Sequence, residues 1–343
     1  MKVYLKNHPA HAGHWIYNHG YYNAWKFLNY EPELYTRIED IVPTGRYHIM
    51  CVDGDIRSGK DMEIINGADK AWMYAQPTWY PGKWGKHPNF VTYYNTAADR
   101  TQLLKLCPDL KLWTFLTVRQ GTNWQAINSN VPAVGTFFPI GNVFDGWDRK
   151  VYSLPLAFDD IEYNSLVDKS AAAAQKYGYD VAYIGGRADN GFDEKAKLMD
   201  ETFQAFKNAG IKKTGFFVNA GLSQKDEANI LYHSKAALNV HDVFQRQYGF
   251  DTNERTFKAL GLTGTLFSDE VRQLGELMHW AKKGSVFQNT DPVALAKEAK
   301  DWIDAAEFTV NEYTTTFRKE DMRQHILGHH CYRHRVDDLL KMV

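Results

Sequence analysis

The chain has 343 residues, of which 44% are hydrophobic and 24% are charged, so it is long enough for two ordinary domains and too apolar for a disordered protein. Lys and Arg number 40 against 41 Asp and Glu, and the net charge of -1 excludes a general attraction to nucleic acid or anionic membranes. The three widely spaced cysteines form neither a disulfide framework nor a zinc motif, and no apolar run could span a membrane. We therefore expect a protein of the reducing cytoplasm.

The N-terminal pattern predicts a strand at residues 2–5, a loop rich in small residues and a helix that continues to Phe27. In an open parallel sheet, the loop after the first strand shapes the floor of the ligand crevice. Gly13 is therefore a candidate for binding an acceptor, and His14 is a candidate catalytic residue. Histidines at 8, 11, 14 and 19 also suggest a metal, but no cysteine or carboxylate is interleaved with them, so loop histidines are the favoured interpretation.

Two carboxylates follow the next predicted strand, at residues 47–52. Asp53 and Asp55 lie one residue apart, in a pattern that can hold Mg²⁺ or Mn²⁺ beneath a diphosphate. This alternative places the nucleotide in the N-terminal half and makes activity metal-dependent. The same composition is common in turns. The main hypothesis therefore has no metal and no required cofactor.

A loop at residues 77–87 interleaves aromatic and basic side chains between predicted strands at 71–75 and 111–116. Aromatic faces beside cations can stack a ring and neutralise phosphates, which makes Trp79 and Trp84 candidate acceptor-binding residues. A surface loop with half-buried rings explains the same pattern equally well.

From residue 181 onwards, strands alternate with helices of regular length, a pattern that requires parallel pairing. Together with the length, this pattern predicts an α/β protein of two domains at 1–158 and 159–316, the second of them Rossmann-like, and a final helix at 317–343. The first predicted strand of the second domain, at 181–184, runs into Gly185 and Gly186, which allow close backbone approach, and then Arg187, a cation suited to phosphate.

The stretch 236–269 organises the second half. A buried strand at 236–240 is followed by a polar loop, a helix from Asn253 to Gly261, and a strand at 265–267 that ends in Ser268-Asp269. The first turn of a helix has free N–H groups and a positive dipole end, so we expect a nucleotide phosphate at this point.

Short motifs, most of them in this region, carry a resemblance to a known family. They are His241, Gln245, Tyr248-Gly249, Asn253-Glu254-Arg255-Thr256-Phe257 and Ser268-Asp269, together with stretches 154–159 and 330–335. The chain over 154–343 resembles the nucleotide-sugar glycosyltransferases that include bacterial spore-maturation proteins. The resemblance implies two Rossmann-like domains across a cleft (GT-B type), with the C-terminal helix crossing back to the N-terminal domain. It also implies retaining transfer of a hexose or pentose in a bacterial, or virus-infected bacterial, cytoplasm.

The resemblance implies a UDP- or GDP-type sugar as donor substrate. Candidate catalytic residues are His14, Arg187 and His241. Candidate donor-binding residues are Gly185, Gly186, Gln245, Tyr248, Asn253, Glu254, Arg255, Thr256 and Asp269. The family carries two acidic residues seven apart around this helix, the second of which accepts the ribose hydroxyls. Here Asp251 holds the first position, but Lys258 replaces the second and has no acceptor. Either another residue such as Asp269 or Glu270 binds the ribose, or donor recognition has changed; alternatively, Lys258 simply forms a helix-face ion pair with Glu254.

The acceptor stays open between a glycan, a small metabolite and a hydroxylated DNA base, although the balanced net charge weighs against DNA. Two other classes of function also stay open. One is a sugar-nucleotide epimerase or hydrolase on the same architecture, and the other is a non-catalytic nucleotide-sugar-binding protein, which the presence of Lys258 makes plausible.

Overall fold

The computed structural model describes residues 1–9, 13–52, 55–56, 58–74, 106–114, 151–187, 194–248, 252–278, 284–308 and 312–342. The chain divides into two compact units. Unit 1 is Met1–Pro155 with Tyr332–Val343, and unit 2 is Leu156–Cys331. The sequence placed the corresponding boundaries at 158 and 316.

Unit 1 is built on a parallel sheet in the order β2-β1-β3-β4-β5-β6. Its strands are β1 (Lys2–Lys6), β2 (Glu31–Tyr35), β3 (Tyr47–Val52), β4 (Lys70–Tyr74), β5 (Leu110–Thr114) and β6 (Val151–Ser153). A π-helix (His14–Tyr21) leads into α1 (Tyr22–Phe27), a 3-10 turn spans Ile38–Asp40, and α2 spans Gly59–Asn66. The sequence did not predict β2, which contains Pro32. A proline is tolerated there because β2 is an edge strand and need not donate every backbone N–H.

Unit 2 is a second parallel sheet, in the order β11-β10-β9-β7-β8. Its strands are β7 (Val181–Gly185), β8 (Thr214–Val218), β9 (Ala236–Asn239), β10 (Leu266–Ser268) and β11 (Val286–Gln288). The helices described in this unit are α3 (Asp160–Leu166), α4 (Ala171–Tyr177), α5 (Glu194–Asn208), α6 (Gln224–His233), α7 (Val243–Tyr248), α8 (Glu254–Thr263), α9 (Arg272–Leu277), α10 (Pro292–Phe308) and α11 (Glu312–His329). Met199 and Phe206 of α5 pack with the apolar face of α10 on one side of this sheet, as their helical spacing predicts.

Helix α8 ends later than the sequence predicts. The expected stop was Gly261, but the helix continues to Thr263 and terminates at Gly264, whose φ of 79° is the left-handed conformation that favours glycine. Gly261 is small for another reason. A Cβ there would lie 2.7 Å from the Phe158 ring, so glycine allows the helix to pack closely on that ring.

The C-terminal segment forms two helices, not the single one predicted from residue 317. Helix α11 ends at His329, and α12 (Tyr332–Lys341) follows after a break. The break occurs where the carbonyl of His330 accepts the Phe158 backbone N–H at 2.8 Å, a strand-like contact that interrupts helical hydrogen bonding. Within unit 1, the carbonyl of Leu339 on α12 accepts a hydrogen bond from Trp72 Nε1 at 3.0 Å. Among the described residues, no helix is both long and apolar enough to cross a membrane.

Two cations of α11 cap the C-terminal ends of neighbouring helices. Lys319 Nζ donates to the carbonyl of Ser234 after α6 at 2.8 Å, and Arg323 Nε donates to the carbonyl of Leu262 in α8 at 2.6 Å. Carbonyls at helix C-termini carry partial negative charge, so these contacts are favourable. Burial, followed by the charges of Arg323 and Lys235, nevertheless lowers the pKa of Lys319 to about 7.

This lowered pKa gives a pH dependence with a definite sign. Between pH 7 and the ordinary lysine pKa of about 10.4, the unfolded chain binds more protons than the folded chain at Lys319, so the free energy of unfolding increases with pH. We expect Lys319→Met to make that increase smaller, as measured by urea unfolding at pH 7 and pH 9. An identical increase in the variant and the unsubstituted protein would contradict this explanation.

Candidate active site

The strand order of unit 2 reverses at β7, because β8 lies on one side of it and β9, β10 and β11 follow on the other. In open parallel sheets, ligands bind outside the carboxyl ends of the strands at such a point. Gly185 ends β7, Asn239 ends β9 and Ser268 ends β10. Side-chain contacts join these strand ends to the start of α8.

Asn253 is the N-cap of α8, and its side-chain oxygen accepts the backbone N–H of Thr256 at 3.2 Å. The buried amide of Asn239 holds this turn, since its Nδ2 lies 3.1 Å from both Asn253 Oδ1 and Thr256 Oγ1. The helix start, with N–H groups that have no intrahelical acceptor, is therefore fixed against the end of β9.

Arg255 joins β7 to β9. Its Nη1 donates to Asn239 Oδ1 at 3.1 Å and to the Tyr183 hydroxyl at 3.4 Å. The guanidinium lies across Gly185, where a Cβ would be only 2.4 Å from the Arg255 Cζ atom. Any larger residue at 185 would therefore displace Arg255. The two sequence-predicted corners, Gly185 and the start of α8, are adjacent in the structure.

His241 follows β9 and has 0% of its surface exposed. Its backbone N–H donates to both Asp269 oxygens, at 3.1 and 3.0 Å, and its Nδ1 lies 2.7 Å from Asp269 Oδ1. A carboxylate only accepts, so Nδ1 carries the proton, and Nε2 can accept from the Thr252 hydroxyl at 2.8 Å. His241 thus ties β10 to the residue before the α8 cap. Its role in catalysis stays a prediction.

The Asp269 carboxylate is buried together with the groups that donate hydrogen bonds to it. Burial by itself would raise the pKa of this carboxyl, but the interactions with His241 and the charge of Arg246 outweigh it and lower the pKa below the usual range. Asp269 therefore remains ionised. Its carboxylate accepts hydrogen bonds from His241 and Ser268, and the predicted contact between Asp269 and a sugar donor stays a prediction.

Lys258 of α8 lies in a buried charged cluster. Its Nζ is 2.8 Å from Glu227 Oε1 and 3.6 Å from Glu254 Oε2, which confirms the predicted helix-face pair and adds a second carboxylate. Burial alone would lower the pKa of Lys258, but Glu227 and Glu254 raise it well above its usual range. Burial also raises the pKa of Glu254. Tyr163 completes the cluster by donating its hydroxyl to Glu227 Oε2 at 2.9 Å.

Four other predicted residues occupy different settings. Gly186 accepts the Tyr183 hydroxyl through its carbonyl at 3.1 Å. Arg187 forms an exposed two-pronged ion pair with Asp200 of α5, and its role in catalysis stays a prediction. Gln245 is buried and accepts the backbone N–H of Asp242 at 3.1 Å. Tyr248 is the last residue of α7.

Sequence reasoning missed two cations of this region. Buried Lys195 pairs with Asp242 at the end of β9, with Nζ 2.5 Å from Oδ1. Arg246 of α7 has its Nε 3.6 Å from Asp269 Oδ2. Neither ion pair could be predicted from a local motif, because each joins residues that are far apart in the chain. Asn239 and Thr252 were also missed as site residues, although Thr252 directly precedes Asn253 and Asn239 lies two residues before His241.

A family model described as glycosyl transferase-like matches residues 170–341, which is half of the chain. This chain belongs to the glycosyl transferase-like family. The matched residues include all five strands of the unit 2 sheet, from β7 to β11, and therefore both Gly185 and the start of α8. A comparison with curated protein sequences found no match.

Solved structures show that this glycosyltransferase has the two-Rossmann-domain, or GT-B, fold. An alpha-glucosyltransferase (AGT) in complex with UDP matches with a TM-score of 0.56 and 11% identity, over 99% of each chain. The same type of enzyme with UDP-glucose and DNA containing an abasic site matches with a TM-score of 0.47, 11% identity and the same coverage. The spinosyn forosaminyltransferase SpnP matches with a TM-score of 0.47 and 9% identity, over 100% of this chain and 99% of that one.

In unit 1 of this glycosyltransferase, the predicted acceptor residues lie after β1. A Cβ on Gly13 would lie 2.8 Å from the His8 ring, so Gly13 permits the loop to close on that side chain. His14 Nδ1 donates to the carbonyl of His8 at 2.9 Å, and its Nε2 lies 3.2 Å from His19 Nε2. Residues five apart meet in this way because the segment is a π-helix.

The alternative metal site is described only in part. Asp55 is paired with Lys6, with Nζ 2.6 Å from Oδ1, and the Tyr35 hydroxyl lies 3.4 Å from its other oxygen. A lysine already supplies the positive charge that a divalent cation would bring. Asp53, Trp79, Trp84 and Asp251 lie outside the described residues.

Proposed function

We propose that this glycosyltransferase moves a sugar from a nucleoside diphosphate donor of the UDP type to a hydroxyl acceptor, with retention at the sugar carbon. We place the donor diphosphate at the start of α8, beside Gly185 and Arg255. The observation that carries the proposal is the position of Arg255. This cation bridges β7 and β9 where the strand order reverses, next to a capped helix start.

The chemistry of a leaving diphosphate supports this placement. Charge builds on the diphosphate as the bond to the sugar breaks, so fixed donors and cations around it lower the barrier. Arg255 and the N–H groups of the first turn of α8 supply such donors. Asn239, Asn253 and Thr256 hold that turn in place. With no side chain assigned as a glycosyl nucleophile, we propose that the acceptor attacks from the leaving-group side and that the departing phosphate takes its proton.

The other elements of the proposal follow from the same placement. Gly13 and His14 in unit 1 are the proposed acceptor-side residues, and the acceptor is a glycan, a small metabolite or a hydroxylated DNA base. UDP is the first nucleotide to test, because an alpha-glucosyltransferase of similar fold was solved in complex with it. We propose that the reaction takes place in the cytoplasm and requires no metal ion.

The proposal is tested by thermal-shift and calorimetric titration with UDP, GDP and their sugar derivatives, in EDTA and in Mg²⁺. We expect a nucleoside diphosphate to stabilise the protein in EDTA, because protein cations and helix N–H groups hold the phosphates. If binding strictly requires Mg²⁺, and this Mg²⁺-dependent binding is lost when Asp53 and Asp55 are replaced by Asn, the site belongs in unit 1. Consumption of UDP-sugar at an undiminished rate without acceptor would indicate a hydrolase or epimerase instead.

A further inference from the structure

Arg246 differs from the other cations at the carboxyl edge of the unit 2 sheet. Arg187 is paired with Asp200, Lys195 with Asp242, and Arg255 donates to Asn239 and Tyr183. The Arg246 Nε and Nη2 atoms are buried, yet they have no hydrogen-bond acceptor among the described residues. A buried N–H group without an acceptor is costly and uncommon in folded proteins, so these two groups require an explanation.

Asp269 does not provide that explanation. Arg246 Nε lies 3.6 Å from Asp269 Oδ2, a distance that makes an ion pair but is too long for a hydrogen bond. The carboxylate already accepts the His241 backbone N–H, the His241 Nδ1 proton and, at 3.2 Å, the Ser268 hydroxyl. These three contacts are all made by Oδ1, while Oδ2, the oxygen nearer to Arg246, accepts one hydrogen bond among the described residues, from the His241 backbone N–H at 3.0 Å. Arg246 gives the carboxylate electrostatic support and keeps its own N–H groups for another acceptor.

Arg246 is connected to the proposed donor site through a short series of contacts. Asp269 is bonded to His241, His241 to Thr252, and Thr252 to Thr256 in the first turn of α8, with 2.8 Å between the two hydroxyl oxygens. The Arg246 side chain also keeps 24% of its surface exposed, so a ligand can reach it. Because Nε and Nη2 are themselves buried, a small rotation of the guanidinium towards this exposed edge would bring them to an anion bound there.

We propose that Arg246 is a further donor-binding residue, whose guanidinium hydrogen-bonds phosphate oxygens of the nucleoside diphosphate. This inference rests on the proposed function, which places that diphosphate at the start of α8. A guanidinium suits this task because its donors are fixed in a plane and match two phosphate oxygens at once. After the larger contributions of His241, the charge of Arg246 also lowers the pKa of Asp269, and Asp269 holds His241. One side chain therefore links phosphate binding to the network that positions the helix start.

The test compares Arg246→Lys and Arg246→Met with the unsubstituted protein by calorimetric titration with UDP and with uridine. Lysine keeps a positive charge near Asp269 but loses the planar pair of donors. We expect both variants to bind UDP at least about tenfold more weakly, which corresponds to the loss of about 1.4 kcal/mol. Affinity for uridine should change by less than about twofold, because the proposed contact is to phosphate. Arg272→Met is the matched control, since it removes an exposed arginine paired with Glu276 and should leave UDP affinity unchanged.

The melting temperature without ligand separates a binding role from a purely structural one. If Arg246 binds phosphate, Arg246→Lys should melt within about 2 °C of the unsubstituted protein while losing UDP affinity. An unchanged affinity for UDP in both Arg246 variants would overturn the inference and leave the proposed function standing. An equal loss of uridine and UDP affinity would also overturn it. If the unsubstituted protein binds no nucleoside diphosphate, the proposed function fails, and the inference fails with it.

Discussion

Replacing Lys258 by Met is expected to destabilise the protein by about 3–5 kcal/mol, because it leaves two buried carboxylates without their cation. Glu227 and Glu254 both pair with the Lys258 ammonium, and Glu254 is already difficult to ionise where it lies. Removing the ammonium should raise the pKa of Glu254 further, so that this carboxylate takes up a proton more readily. The loss of stability should therefore be smaller at pH 5 than at pH 8, as measured by urea unfolding at both values.

Lys300→Met is the matched control for this prediction. Lys300 and Asp304 form an ion pair four residues apart on α10, but Asp304 is largely exposed and no buried carboxylate depends on the lysine. Exposed pairs of this kind contribute about 1 kcal/mol or less. A Lys258→Met variant that loses no more stability than Lys300→Met would show that the buried cluster is not held by its lysine. Combining Lys258→Met with Glu227→Gln should recover part of the lost stability, since one buried charge is removed.

Asp269→Asn is expected to have a similarly large effect, about 3–5 kcal/mol, because it breaks a buried ionic network. The asparagine keeps the size of the side chain, but its amide N–H₂ must face the His241 donors that the carboxylate now accepts. Without this support His241 no longer fixes Thr252, so binding of UDP should weaken as well. Unfolding by urea and titration with UDP measure the two effects.

The pH dependence of this variant has a definite sign. The pKa of Asp269 is lowered in the folded protein, so its contribution is present above the unfolded carboxyl pKa of about 3.9 and is lost as pH falls through the lower folded value. The unsubstituted protein should therefore lose stability more steeply than Asp269→Asn as the pH falls below about 4. The control is Asp304→Asn, which changes an exposed carboxylate. Parallel acid unfolding curves for Asp269→Asn and the unsubstituted protein would contradict the role given to Asp269.

Local patterns were sufficient to predict the elements that build the donor site. The buried strand before His241 and the helix that starts near Asn253 each depend on residues within a few positions of one another, and both are confirmed. The pair formed by Lys258 and Glu254 was also predictable, because residues four apart share one helix face. Alternating strands and helices predicted the two parallel sheets, which are confirmed as well.

The partners of the charged residues could not be predicted, because they depend on which strands and helices become neighbours. Asp269 reaches His241 only because β10 pairs with β9 in parallel. Glu227 reaches Lys258 because α6 packs beside α8. The ion pair of Arg187 could not be predicted for the same reason. Its pairing with Asp200 depends on how α5 folds back beside β7, and no local signal distinguished Arg246.

A crystal structure of the protein with UDP tests the central claim most directly. The expected result is a diphosphate within hydrogen-bond distance of the first turn of α8 and of Arg255, against the backbone of Gly185. A diphosphate bound in unit 1, beside Asp53 and Asp55, would contradict the placement of the donor site.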